Sequence, residues 1–302
     1  MPPFTILLIT ALSVFVLGNI YRFVRVARMP SHLRWELYPI PKGPHERQRY
    51  GGSYFEDTEW WTKSTKTDGF GQIAFMLKEV FLLRGVYLNF RPLWVWSALL
   101  HWGLYLYIAS TTIAVGAFAI WKDVPSEKPF LLSFEHSAYS IACALGIVGS
   151  LGLLVTRALN PRLKGWTTRA TVFNLCLLAS IFASGLIALL IPDHGLLVTL
   201  RDIVDWHSAW QAPSIASDLH LGLLAFFLVY FPFTHMTHMF LKYFTWHGVR
   251  WDDRPAQFDE RGKNVIAQNL ARQVSWQALH IRSTDPQSWA DVASRSGSEK
   301  RP

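Results

Sequence analysis

Five stretches of this chain contain no Asp, Glu, Lys or Arg: residues 2–21, 93–121, 137–156, 170–192 and 219–241. An α-helix needs about 20 apolar residues to cross the roughly 30 Å hydrocarbon core of a bilayer. Each stretch meets that length. In lipid the backbone must satisfy its own hydrogen bonds, so uncharged runs of this size become helices. A water-soluble domain of 302 residues would have to bury five wholly apolar helices, and it lacks the polar shell to do so. The fold class expected is an all-α integral membrane protein, a five-transmembrane-helix bundle. The membrane domain covers 1–245, with a loop at 22–92 between the first two helices and a polar tail at 246–302.

Charge orients the bundle. Lys and Arg number 12 in the first connection, four in 157–169 and ten after residue 241, against two and one in the remaining connections. Basic residues stay on the cytoplasmic side. The expectation is therefore an outside N-terminus and a cytoplasmic C-terminus in a bacterial or archaeal inner membrane. Arg22, Arg25 and Arg28 follow the first run instead of preceding it, which fits a retained helix better than a cleaved signal. The net charge of +8 expresses this topology. The basic residues are scattered among acids, so nucleic acid is not an expected partner. Cys143 and Cys176 are the only cysteines. That is too few for an iron–sulfur cluster or a cysteine zinc site, and packing is their expected role.

The first connection is aromatic and rich in Pro and Gly, which suggests ordered chain at the cytoplasmic surface or against a partner. Within it, residues 75–88 have the amphipathic pattern of an interfacial helix; an aromatic anchor at the headgroup level is the other reading. Residues 196–206 alternate apolar and charged positions at helical spacing and predict a short surface helix. The tail is polar, and its last dozen residues have a disordered composition.

Ionisable groups inside a bilayer are costly and usually functional. Here they are histidines. His220 and His238 stand 18 residues apart in the fifth run, five turns of one helix and about 27 Å along its axis. One helix would then present an imidazole near each surface. His101 lies early in the second run, and His136 opens the third. With the orientation above, His101 pairs by depth with His238 on the inner side, and His136 with His220 on the outer side. Two imidazoles from facing helices are how a bundle holds a b-type haem, so two haem b groups are expected. A CxxCH motif is absent, which excludes covalent c-type attachment. His235 is 15 residues from His220, about 60° off its face, and is the alternative to His238. Against this stands the plain reading of each histidine as a hydrogen-bonded core residue. Gly103, Gly146, Gly149, Gly152 and Gly222 suit a flat macrocycle, or equally close helix packing.

With these features the chain resembles the cytochrome b subunits of the respiratory nitrate reductase gamma family, and the membrane cytochromes of heterodisulfide-reductase-like and sulfite-reduction-associated complexes. The resemblance rests on five spans, His101, His220 and His238, and the loop segments Trp35-Glu36-Leu37-Tyr38-Pro39 and Gly51-Gly52-Ser53-Tyr54-Phe55 with Trp60-Trp61. It implies a respiratory subunit that moves electrons between menaquinone or ubiquinone and a cytoplasmic iron–sulfur subunit, with a periplasmic cytochrome c as a further partner class. In the nitrate-reductase pattern a second histidine follows the first by ten residues, where this chain has Thr111. The outer haem must then take His136, or the protein holds one haem. Quinone chemistry needs proton-exchanging groups; Asp193 and His207 are the candidates, with His194, Arg201 and Asp205 nearby.

Two other classes compete. A transporter whose histidines bind metal or relay protons would show carboxylates or broken helices within the membrane; the runs themselves hold no Asp or Glu, and Pro232 is the one clear interior break. A haem-free anchor needs no site at all. A membrane di-iron hydroxylase needs about eight clustered histidines, and His235 with His238 is the only close pair here.

Overall fold

In a computed structural model of the chain, the residues described are 3–29, 58–59, 69–121, 129–191, 200–201, 204, 214–244, 260–274 and 287–294. They are mostly helical, with one isolated bridge between Gln273 and Ser288. Among the described residues five helices are long and apolar enough to span a membrane: Thr5–Ala27, Arg91–Ile120, Ser133–Leu159, Arg169–Leu190 and Ile215–Phe233. The chain is a multi-pass membrane protein.

The first helix, α1 (Pro3–Ala27), exposes Ile6, Ile9, Leu12, Val16, Leu17 and Ile20. Two short helices, α2 (Gly69–Leu82) and α3 (Arg84–Asn89), precede the second span, α4 (Arg91–Ile120). The interfacial pattern at 75–88 is thus divided at Leu83, whose φ of 48° lies in the left-handed region. The turn is held from α4: Trp102 Nε1–H donates to Phe81 O at 2.7 Å, Trp94 Nε1–H to Leu82 O at 2.7 Å, and Tyr105 O–H to Val80 O at 2.9 Å. Three aromatic donors thereby satisfy the carbonyls that a helix C-terminus leaves over.

The third span, α5 (Pro129–Leu159), packs on α4 and on the fourth, α6 (Arg169–Leu190). Gly103 faces Ala142 and Gly146, Leu100 faces Gly149, and Trp96 faces Gly152. Falling numbers on one helix meet rising numbers on the other, so the pair is antiparallel. A Cβ on Gly103 would lie 2.6 Å from the Gly146 nitrogen. These glycines therefore serve close helix packing, while Gly222 faces open space. Cys143 is buried in the same core and Cys176 is exposed. Asn160 caps the 3₁₀ turn Pro161–Trp166, and Thr168 caps α6 by accepting from Thr171 N–H. Leu200, Arg201 and Val204 are helical, as the 196–206 pattern predicts, and Leu200 is buried.

The fifth span departs from expectation. It begins as α7 (Ile215–Tyr230), capped by Ser214, and packs on α6 and α1. The single helix expected over 219–241 is not formed. The chain leaves α-geometry at Phe231–Phe233, extends at Thr234 (φ −115°, ψ 172°), makes another 3₁₀ turn at His235–Thr237 and re-enters helix as α8 (His238–Lys242). Pro232 cannot donate to the ladder and disfavours helix before it. The 18-residue spacing consequently stops fixing a common face. Arg22 of α1 stabilises the break: its Nη1 donates to Pro232 O at 2.7 Å and to Thr234 O at 2.8 Å. Thr234 and Thr237 hydroxyls bond to Phe231 O and Thr234 O.

These helices, with residues 1–32 and 69–247, form one compact unit; residues 33–68 and 248–302 form a second. In the second, α9 (Glu260–Leu270) and α10 (Trp289–Ser294) are joined by backbone bonds from Val274 N–H to Gln287 O and from Trp289 N–H to Arg272 O. The loop motifs at 35–39, 51–55 and 60–61 and the last residues of the tail lie outside the described residues.

Candidate functional site

His101 sits in the third turn of α4, and His238 opens α8. Their ring centres are 6.3 Å apart with planes at 70°. Each ring turns Nδ1 toward backbone: His101 Nδ1–H donates to Ser97 O at 2.7 Å, and His238 Nδ1–H to His235 O at 3.2 Å. That bond fixes the tautomer and leaves Nε2 with its lone pair free for a metal. A metal–imidazole bond is about 2 Å and the nitrogen lies about 1.1 Å from the ring centre, so two imidazoles axial to one ion have centres about 6 Å apart. The observed spacing matches that arrangement.

Among the described residues no three His, Cys, Asp or Glu side chains converge as a metal site. Two imidazoles alone are a poor site for a bare ion, which wants three or four ligands. They are a complete axial set for an iron already held by a macrocycle. The inner residues therefore fit a b-type haem. Beside them, the Tyr105 ring centre is 6.2 Å from that of His101, and Lys242, one turn after His238, pairs with Glu79 of α2 at 3.0 Å.

His235 takes a different place. Its Nε2 lies 3.5 Å from Asn174 Nδ2 on α6, and Asn174 Oδ1 accepts from Tyr230 O–H at 2.9 Å. The break at 231–237 is what turns His238, and not His235, toward α4.

The outer pair is not brought together. His220 is 1% exposed, whereas His136 lies exposed on α5. Both nitrogens of His220 hold hydroxyls: Nε2 is 2.9 Å from Tyr107 Oη and 3.1 Å from Tyr139 Oη, and Nδ1 is 3.1 Å from Ser184 Oγ. Gly185 leaves room for the ring, since a Cβ there would lie 2.9 Å from His220 Cε1. The geometry at this level is that of a hydrogen-bonded core histidine, and among the described residues no second imidazole is paired with it. Thr111, where the resembling family carries a ligand, has a buried hydroxyl with no partner among the described residues.

Two carboxylates fall inside spans that sequence treats as uncharged, Glu135 in α5 and Asp218 in α7. The absence of acids from the spans, used above against a transporter, does not hold for the helices as formed. Asp193 and His207, with His194 and Asp205, lie outside the described residues, as do His32, His45, His247 and His280. Tyr107, Tyr139, Ser184 and Asn174 are the contributors that the histidine count missed. Their signal is a polar side chain deep in an apolar run. No protein-family model, curated protein or solved structure matches this chain.

Proposed function

We propose that this protein is a b-type cytochrome subunit of a respiratory membrane complex, with one haem held between His101 and His238. The observation that carries this reading is the neighbouring imidazole pair with ring centres 6.3 Å apart, each with Nδ1 committed to a backbone carbonyl. The haem would supply one-electron chemistry. His101 and His238 would hold it, and the apolar side chains of the spans would keep water away.

On this reading electrons pass between a membrane quinone, menaquinone or ubiquinone, and an iron–sulfur subunit at the cytoplasmic side. Arg22, Arg25, Arg28 and the basic 157–169 link put the His101–His238 end of the bundle on that side by the distribution of positive charge. A second haem would need His136 and His220 to approach each other, against the hydroxyl network that holds His220.

A pyridine haemochrome spectrum of the purified chain, with protein quantitation, tests the proposal. The expected result is about one haem b per chain. Two per chain would restore the outer site. None would end the cytochrome reading and leave the transporter, which the broken fifth span and the intramembrane Glu135 favour.

A further inference from the structure

Glu135 has no place in haem ligation, yet it is 2% exposed and neither carboxylate oxygen has a hydrogen-bond partner among the described residues. An acid taken out of water without a partner costs several kcal/mol, and such groups within spans mark proton or ion paths. Groups with exchangeable protons lie around it, and none among the described residues is hydrogen-bonded to its carboxylate. Ser110 of α4, also 2% exposed, faces Glu135 without closing an aligned hydrogen bond. One turn along α5 is Tyr139, whose ring centre is 5.0 Å from that of Tyr107. Both phenols reach His220 Nε2, and Ser184 reaches its Nδ1. Ser184 Oγ–H in turn donates to Ile181 O at 3.0 Å. A neutral imidazole accepts at one nitrogen and donates from the other, so His220 can take a proton from one neighbour and release one to another.

We propose that Glu135, Tyr139, Tyr107 and His220 form the proton exit for quinol oxidation, with Glu135 as the terminal base. This rests on the cytochrome and quinone reading above. Tyr107 lies six residues beyond His101 on α4, so these groups begin about 9 Å of helix rise from the level of His101 and run toward the α4–α5 connection. Oxidation breaks two O–H bonds of the quinol and releases two electrons and two protons. A haem held by His101 and His238 would take the two electrons one at a time, with the proposed iron–sulfur partner as their acceptor. Each proton passes through His220 and the phenols to the Glu135 carboxylate, which hands it to water at the end of the bundle. The pattern assigns a use to both nitrogens of His220 and to an otherwise unexplained buried acid.

The test is stopped-flow reduction of the haem in the purified chain by short-chain benzoquinol and naphthoquinol, comparing wild type with Glu135→Gln, Glu135→Asp and Tyr139→Phe. Glu135→Gln and Tyr139→Phe are expected to keep the haem content and slow reduction roughly tenfold or more, while Glu135→Asp recovers most of the rate. Reduced-minus-oxidised infrared difference spectra should carry a carboxylic acid band that Glu135→Gln removes. Wild-type rates in Glu135→Gln would overturn the relay and leave the quinone reading standing. A haem-loaded wild type that neither quinol reduces would overturn the quinone reading and the relay with it. If Glu135→Gln loses its haem, Tyr139→Phe decides, because it removes one hydroxyl and keeps the ring; an unchanged rate there sinks the relay.

Discussion

His235 and His238 differ in which ring nitrogen is left over. His238 spends Nδ1 on a carbonyl and turns toward His101; His235 turns its Nε2 to Asn174. His238→Ala is therefore expected to abolish the haem, and His235→Ala to retain it at wild-type stoichiometry, both read from pyridine haemochrome spectra. His220→Ala is expected to keep the haem while loosening the hydroxyl network around it. Histidine was legible in the sequence because it is the one side chain inside the uncharged runs that titrates near neutral pH. The hydroxyls were not. Thr112 bonds the carbonyl four residues back in its own helix, as does Ser140, whereas Tyr107 and Ser184 reach across to His220. Nothing local in the sequence separates the two uses. Glu135 was hidden by the rule that found the spans, since a charge was taken to end a run, while the helix that contains it starts at Pro129.

Helix contacts depend on backbone approach and on what satisfies the broken ends. Gly103 meets the backbone of Gly146 and Ala142, and backbone cannot swing aside as a side-chain tip can. Gly103→Val is expected to cost roughly 1–3 kcal/mol or more, visible as a lower unfolding temperature in detergent, whereas Gly222→Ala, which faces open space, is expected to change little. Arg22 presents the complementary case. Its guanidinium holds two carbonyls freed by the helix break, and hydrogen bonds to a charged group are worth about 1.5–3 kcal/mol. Arg22→Gln is expected to lower stability by about 2 kcal/mol and to weaken haem retention through His238. Full haem retention with unchanged unfolding would show that the break holds itself. Pro232 marked the break in the sequence, but its extent through Thr237 was not legible there. It depends on a donor 210 residues earlier in the chain, a tertiary partner that no local pattern specifies.

Orientation belongs to the whole molecule, and it decides which side of the membrane the proposed haem serves. If the five candidate spans among the described residues are the crossings, their odd number puts the two ends of the chain on opposite sides. Of 29 basic residues, only Lys122, Lys128 and Arg201 fall in the connections that the proposed orientation puts outside, and by the retention of cations in the cytoplasm that orientation has the C-terminus within. The expected result is a fluorescent GFP fusion at the C-terminus and an inactive alkaline phosphatase fusion at the same point, with phosphatase active when inserted in the 122–128 connection. The opposite pattern would put His101 and His238 near the outer surface. An iron–sulfur partner in the cytoplasm could not then be reached from that end of the bundle, while Glu135, in the outer part of α5 in the present orientation, would face the cytoplasm and could serve proton uptake for quinone reduction instead of release. The fusion pair thus fixes the direction of proton movement that any rate measured on Glu135 variants must be read against.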